Sequence, residues 1–251
     1  MNDKRYGFID FIRGLNLISM IIFHACWDLQ FMFGINVPGY TGTAGLVWQK
    51  SICVTFILIS GFCICLAKNK RKIILRGLLI SVCGAVVTFV TIVFMSDAPI
   101  YFGILTFMGF AMMLFGVLSD RLSKLNPYVL AVICFVLYIL FNDVSYGNIG
   151  FFGLFHVGLP RVLYSNMITA FLGFPNNAFC SSDYFPILPW IFLYGCGFYI
   201  GVIFNRTDLY RILCKPKSSI FNRIGKNTLI IYMLHQPVIY GVLCLIFRNR
   251  I

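Results

Sequence analysis

Residues 13–28 read RGLNLISMIIFHACWD, an apolar run interrupted by an arginine, a histidine and an aspartate. Apolar residues extend it on both sides, so that 9–33 reaches the length of about 20 residues that a membrane helix needs. On such a helix Arg13 and His24 return to nearly the same angle and lie roughly 16 Å apart along the axis. Asp10 precedes Arg13 by three residues and Asp28 follows His24 by four, so each basic group has an acidic neighbour at contact spacing. A charge at mid-bilayer costs about 2.5–3.5 kcal/mol, so this polar stripe is expected to face a bundle interior or a wet cavity and to mark a functional site. The non-functional alternative is that Arg13 snorkels to the inner headgroups, His24 bonds a neighbouring carbonyl and Asp28 marks the outer interface.

The rest of the chain supports a membrane reading of that stretch. Of 251 residues 60% are hydrophobic and only 11% charged, with a mean hydropathy of +0.89, whereas soluble domains carry about 25% charged residues. The apolar runs are too long and unbroken for alternating barrel strands, so the fold class is all-α, a polytopic helical membrane protein. Spans are expected near 9–33, 44–67, 73–95, 100–119, 127–142, 185–205 and 227–247, seven in all, within a single domain over 1–251. The segment 143–184, broken by Pro160 and Arg161, is expected to form outer interfacial or re-entrant helices, and an eighth span within it stays open. The opening MNDKRYGFIDFIRG lacks a short apolar core followed by a small-residue cleavage site, so the first span is expected to be retained.

The net charge of +12 would suggest nucleic acid in a soluble protein; here it reports topology. With the N-terminus cytoplasmic, sixteen of the twenty basic residues fall on the inner side, and only Lys50, Arg161, Arg248 and Arg250 fall outside it, as the positive-inside rule requires. The basic C-terminal end is the exception, because a seventh span carries it outside. No fixed-period internal repeat is visible, which weakens a transporter reading built on repeated halves. The ten cysteines show no paired zinc spacing, so they read as small apolar filler and no metal is expected.

The chain contains no glutamate, so carboxylate chemistry must come from eight aspartates, of which Asp10, Asp28 and Asp183 lie outside the short loops and tails. Asp28 is placed to orient and polarise His24, the arrangement that makes a neutral imidazole an effective general base.

The stretch RYGFIDFIRGLNLISMIIFHACWDL (5–29) resembles the opening of small prokaryotic membrane proteins grouped with the heparan-alpha-glucosaminide N-acetyltransferase catalytic domain. Four further stretches match in order: ILISGFCICLAKNKRKIILRGLLI (57–80), IYFGILTFMGFAMML (100–114), SSDYFPILPWIFLYGCGFYIG (181–201) and IGKNTLIIYMLHQPVI (224–239). The ten-residue gap between Arg13 and His24 also looks like the Arg-x10-His motif of the broader transmembrane acyltransferases. This resemblance implies transfer of an acyl group, usually acetyl, from cytoplasmic acetyl-CoA to an amino-sugar or other glycan acceptor on the far side, in a bacterial plasma membrane. His24 and Asp28 would then be catalytic, and Arg13, Arg71 and Arg76 would hold the phosphates of coenzyme A.

Weaker expectations attach to two other stretches. Asp183, Tyr184 and Trp190 offer an acid and two aromatics for a sugar, or else an aromatic belt beside a proline-set helix start. His235 and Gln236 precede Pro237 and either bind substrate or serve a carbonyl that the proline frees. His156 is a lone histidine on the outer segment. Two competing functions remain at this point: a small-molecule or proton-coupled transporter using Arg13, His24 and Asp28 as a relay, and a catalytically silent membrane scaffold. Self-association into a homo-oligomer is left open.

Overall fold

In the computed structural model the described residues are 7–67, 69–151, 154–207 and 219–248. Nine α-helices are described: α1 Gly7–Trp27, α2 Thr43–Leu66, α3 Lys70–Phe94, α4 Ile104–Leu122, α5 Pro127–Leu140, α6 Met167–Leu172, α7 Ile187–Arg206, α8 Ile220–Lys226 and α9 Thr228–Ile246. A π turn, Asp28–Met32, continues α1. Seven of the helical stretches are long and apolar enough to cross a membrane, each within a few residues of its expected place. The basic residues at 4, 5, 68, 211, 215, 217 and 250, which carry part of the charge asymmetry, lie outside the described residues.

The chain divides into two compact units, Met1–Ile59 with Asp208–Ile251, and Ser60–Thr207. In the first unit α1 buries Asp10, Gly14, Leu17, Met20 and Phe23, the three- and four-residue spacing of a single helix face. Small residues let α8 approach that face closely: a Cβ on Gly14 would overlap the Phe221 carbonyl, and one on Gly225 would overlap the Asp10 carbonyl. Without a hydrophobic drive between helices in lipid, such close backbone packing supplies the attraction. Asn222 seals the contact, its Nδ2 donating to the Gly7 carbonyl at 2.8 Å. On the same helix Asn16 donates to the Ile52 carbonyl at 2.9 Å and Ser19 accepts from Trp48 Nε1 at 2.8 Å, tying α1 to α2. These polar bonds tie the helices directly, because apolar contact gains little over lipid.

In the second unit α3 and α4 approach through Gly77, Gly84 and Gly109, and Lys70 pairs with Asp120. Asn126 accepts from the Tyr128 and Val129 amides and precedes Pro127, a helix start of the expected chemistry for α5. The segment 143–184 departs in part from expectation. In place of interfacial helices it holds a two-stranded hairpin, β1 Asn148–Gly150 against β2 His156–Gly158, and among the described residues only the six-residue α6 is α-helical there. No eighth spanning helix occurs among the described residues. Gly147, at φ 88°, ends the short 3₁₀ turn Val144–Tyr146 in a conformation that glycine adopts without strain, and β1 begins at the next residue.

Candidate functional site

Buried polar groups of the first unit gather where α1 and α9 pack together. His24, in the last turn of α1, has its ring against that of His235 on α9, with centroids 4.9 Å apart and planes at 61°. His235 is oriented by its own helix, Nδ1 lying 2.5 Å from the Tyr232 carbonyl oxygen. A carbonyl can only accept, so in the neutral ring Nδ1 carries the proton and Nε2 keeps its lone pair. That Nε2 is buried and has no hydrogen-bond partner among the described residues.

Gln236 turns instead toward Asp28, its Nε2 donating to Oδ1 at 2.5 Å. Asp28 Oδ2, Gln236 Oε1 and the Tyr40 hydroxyl are likewise buried without partners among the described residues. Tyr40 packs its ring 5.0 Å from Phe23. Burial, with Cys26 and Asp28 nearby, raises its hydroxyl above the ordinary tyrosine range. An unsatisfied buried polar group costs about 1–3 kcal/mol, and native proteins keep few of them. Several occur together in this unit, on residues that flank the pair of imidazoles.

The contact expected between His24 and Asp28 is not made among the described residues. Helical geometry changes to a π turn at Asp28, which alters the angle that a continuous α-helix would give, and Gln236 occupies the carboxylate. Arg13 does meet its expected neighbour, 3.8 Å from Asp10.

The defining pattern of the family described as Heparan-alpha-glucosaminide N-acetyltransferase, catalytic, matches residues 5–237, which takes in both histidines, Asp28 and Gln236. The chain belongs to this family. No curated protein and no solved structure matches it. The heparan-alpha-glucosaminide N-acetyltransferase family is one of transmembrane acetyltransferases, and the seven apolar helices make this member an integral membrane protein.

Within this family member the remaining expected site residues lie in the second unit. Arg71 and Arg76 are exposed on α3, whose first turn also carries Lys70 and Lys72. Cations oppose the helix dipole there, while the same helix end is suited to anions. Tyr184 donates its hydroxyl to the Ala170 carbonyl at 2.5 Å, and Trp190 packs against Phe185 and Tyr138. Asp183 accepts from the Ile104 amide at 3.2 Å and so caps α4, whose own N-cap is Gly103 with no side chain to do so. All three side chains thus have structural engagements, and His156 is exposed on the hairpin.

Burial pushes the Asp183 carboxyl up to about 6, against the opposing bond from Ile104. The folded protein therefore holds this proton where the unfolded chain, near 3.8, has lost it, and the charge penalty grows as pH rises through that window. Asp183→Asn keeps an acceptor oxygen without the charge. Thermal melts of the purified protein should show the wild type losing stability relative to the variant between about pH 4 and 6 and running parallel to it above that; parallel curves throughout would remove Asp183 as the cause.

Sequence reading missed Tyr40, a tyrosine in a Gly-rich loop with no local signal of burial. It also missed that Gln236 serves Asp28, a contact between residues 208 positions apart.

Proposed function

We propose that this protein moves an acetyl group from cytoplasmic acetyl-CoA to an amino-sugar or other glycan acceptor on the outer side of a bacterial plasma membrane, with its N-terminus inside. The observation that carries the reading is the His24–His235 ring contact beside the Asp28–Gln236 pair. Family membership supports transfer of acetyl, and seven crossings with the inner basic excess support the orientation. The two compact units are read as one working domain, since the family match runs through both.

His24 acts as the base, and His235, with its proton fixed on Nδ1, stands beside it to relay or share that proton. The acceptor nitrogen or oxygen attacks the thioester carbonyl, a bond to the acetyl carbon forms and the C–S bond breaks. The proton leaving the acceptor passes through imidazole to the departing thiolate. In a two-step version the acetyl rests first on His24. Asp28, held by Gln236, is assigned a supporting catalytic role beside the imidazoles. Arg13, Arg71 and Arg76 are assigned to the phosphates of coenzyme A, and Asp183, Tyr184 and Trp190 to shaping the acceptor side.

Purified protein incubated with labelled acetyl-CoA should bind the label and release free coenzyme A when an amino sugar is added. Label that is neither bound nor turned over would end the proposal and leave a transporter or a scaffold. In the same assay Arg76→Ala should weaken binding by a factor that shrinks at high salt, because contacts at a hydrated rim are screened over about 8 Å at physiological ionic strength. Affinity unchanged at every salt concentration would remove Arg76 from the site.

A further inference from the structure

The outer segment between α5 and α7 contains no spanning helix among the described residues, yet it presents apolar side chains outward: Val162 is 85% exposed, Leu154 78% and Ile168 74%. Folded within the same segment is a cavity of about 700 Å³ lined by Ser145, Tyr146, Arg161, Tyr164, Asn176 and Asn177, among others. That size lies within the range of about 300–1,000 Å³ typical of small-molecule sites. Its wall is held by committed hydrogen bonds. Tyr164 donates to the Val144 carbonyl at 2.6 Å, Ser145 to the Gly173 carbonyl at 3.3 Å, and the Leu159 amide to Gly147 at 2.8 Å.

The strongest polar groups of the lining are uncommitted. Among the described residues, the Arg161 guanidinium and the side-chain amides of Asn176 and Asn177 make no hydrogen bond or ion pair. Arg161 is also one of the four cations that the inner-side charge rule does not explain. A soluble anion would use Arg161 but not the apolar surface that begins at Val162. A neutral lipid would use that surface but not the arginine.

We propose that this cavity binds the head of a phosphate-bearing amphiphile, with the guanidinium on the phosphate, the asparagine amides on neighbouring head oxygens and the hydrocarbon laid along Val162. A planar guanidinium matches two phosphate oxygens at once. The proposal stands independently of acyl transfer, since it uses none of the groups assigned to that chemistry.

Calorimetric titration of the full-length protein, stripped of lipid in a neutral detergent, tests it with three probes. Dihexanoyl phosphatidylglycerol should bind; dihexanoylglycerol, lacking phosphate, and glycerol 3-phosphate, lacking chains, should each bind at least about tenfold more weakly. Arg161→Gln should weaken the phosphatidylglycerol by about tenfold to a hundredfold, the worth of a charge-assisted hydrogen bond, with an unchanged melting temperature. Val162→Ser should narrow the gap between the lipid and glycerol 3-phosphate. Failure of the lipid to bind, equal binding of either truncated probe, or indifference to Arg161→Gln would overturn the proposal. None of these outcomes alters labelling by acetyl-CoA, so the two readings fail separately.

Discussion

His24→Ala is expected to cut acetyl turnover by about 10²–10⁴-fold, the usual worth of a positioned general base, while leaving acetyl-CoA binding largely intact. Binding should survive because the phosphates are assigned to Arg13 and the inner rim, roughly 16 Å down the helix from the imidazole. His235→Ala should act in the same direction, since its ring lies against that of His24. If the two rings handle one proton as a unit, the double variant should be little worse than the more damaging single one, because groups that act together are grossly non-additive. Asp28→Asn should be milder, as it alters the partner of Gln236 and leaves both imidazoles. Single-turnover measurements with labelled acetyl-CoA and an amino-sugar acceptor read binding and chemistry separately. Full turnover in His24→Ala would dismiss it as the base and pass the role to His235.

Span positions were legible because length and hydropathy alone set them in lipid, where every backbone group must be satisfied within the helix. The Arg13–Asp10 contact was legible for the same local reason, a three-residue spacing on one helix. The His24–Asp28 contact failed on a local rule misapplied: four-residue spacing holds only while the α geometry continues, and a π turn begins at Asp28. The true neighbours of both residues, His235 and Gln236, come from α9, and no pattern along α1 announces which helix will pack there. The hairpin was misread because alternation over three-residue strands is too short to show against an apolar background. Asp183 drew attention in the sequence because its acid precedes aromatics, a pattern that says nothing of its backbone partner. Its engagement with Ile104 follows instead from a glycine N-cap 80 residues away, a deficit visible only after folding.

That dependence of the site on helix packing yields the largest expected structural effect, at Gly225. Any Cβ there meets the Asp10 backbone and the Gly14 amide, which belong to the rigid ladder of α1 and cannot rotate aside as a side chain could. Overpacking of this kind costs about 1–3 kcal/mol where neighbours can give, and Gly225→Val, with no flexible partner to yield, should stand at the upper end or beyond. A shift of α8 is passed through Asn227 directly into α9, so His235 and Gln236 move relative to His24 and Asp28. A misplacement of about 1 Å at reacting groups can cost about 10²-fold in rate. Gly225→Val should therefore lower both the melting temperature and turnover. On the same α9, a Cβ added at Gly241 would find no neighbouring atom within 4 Å. Gly241→Ala should leave both unchanged or slightly improved, since alanine favours a helix over glycine by roughly 0.5–1 kcal/mol. Thermal melts and turnover of the two variants side by side decide the matter: a Gly225→Val protein as stable and active as Gly241→Ala would show that the close approach of α8 to α1 does not set the geometry of the histidine pair.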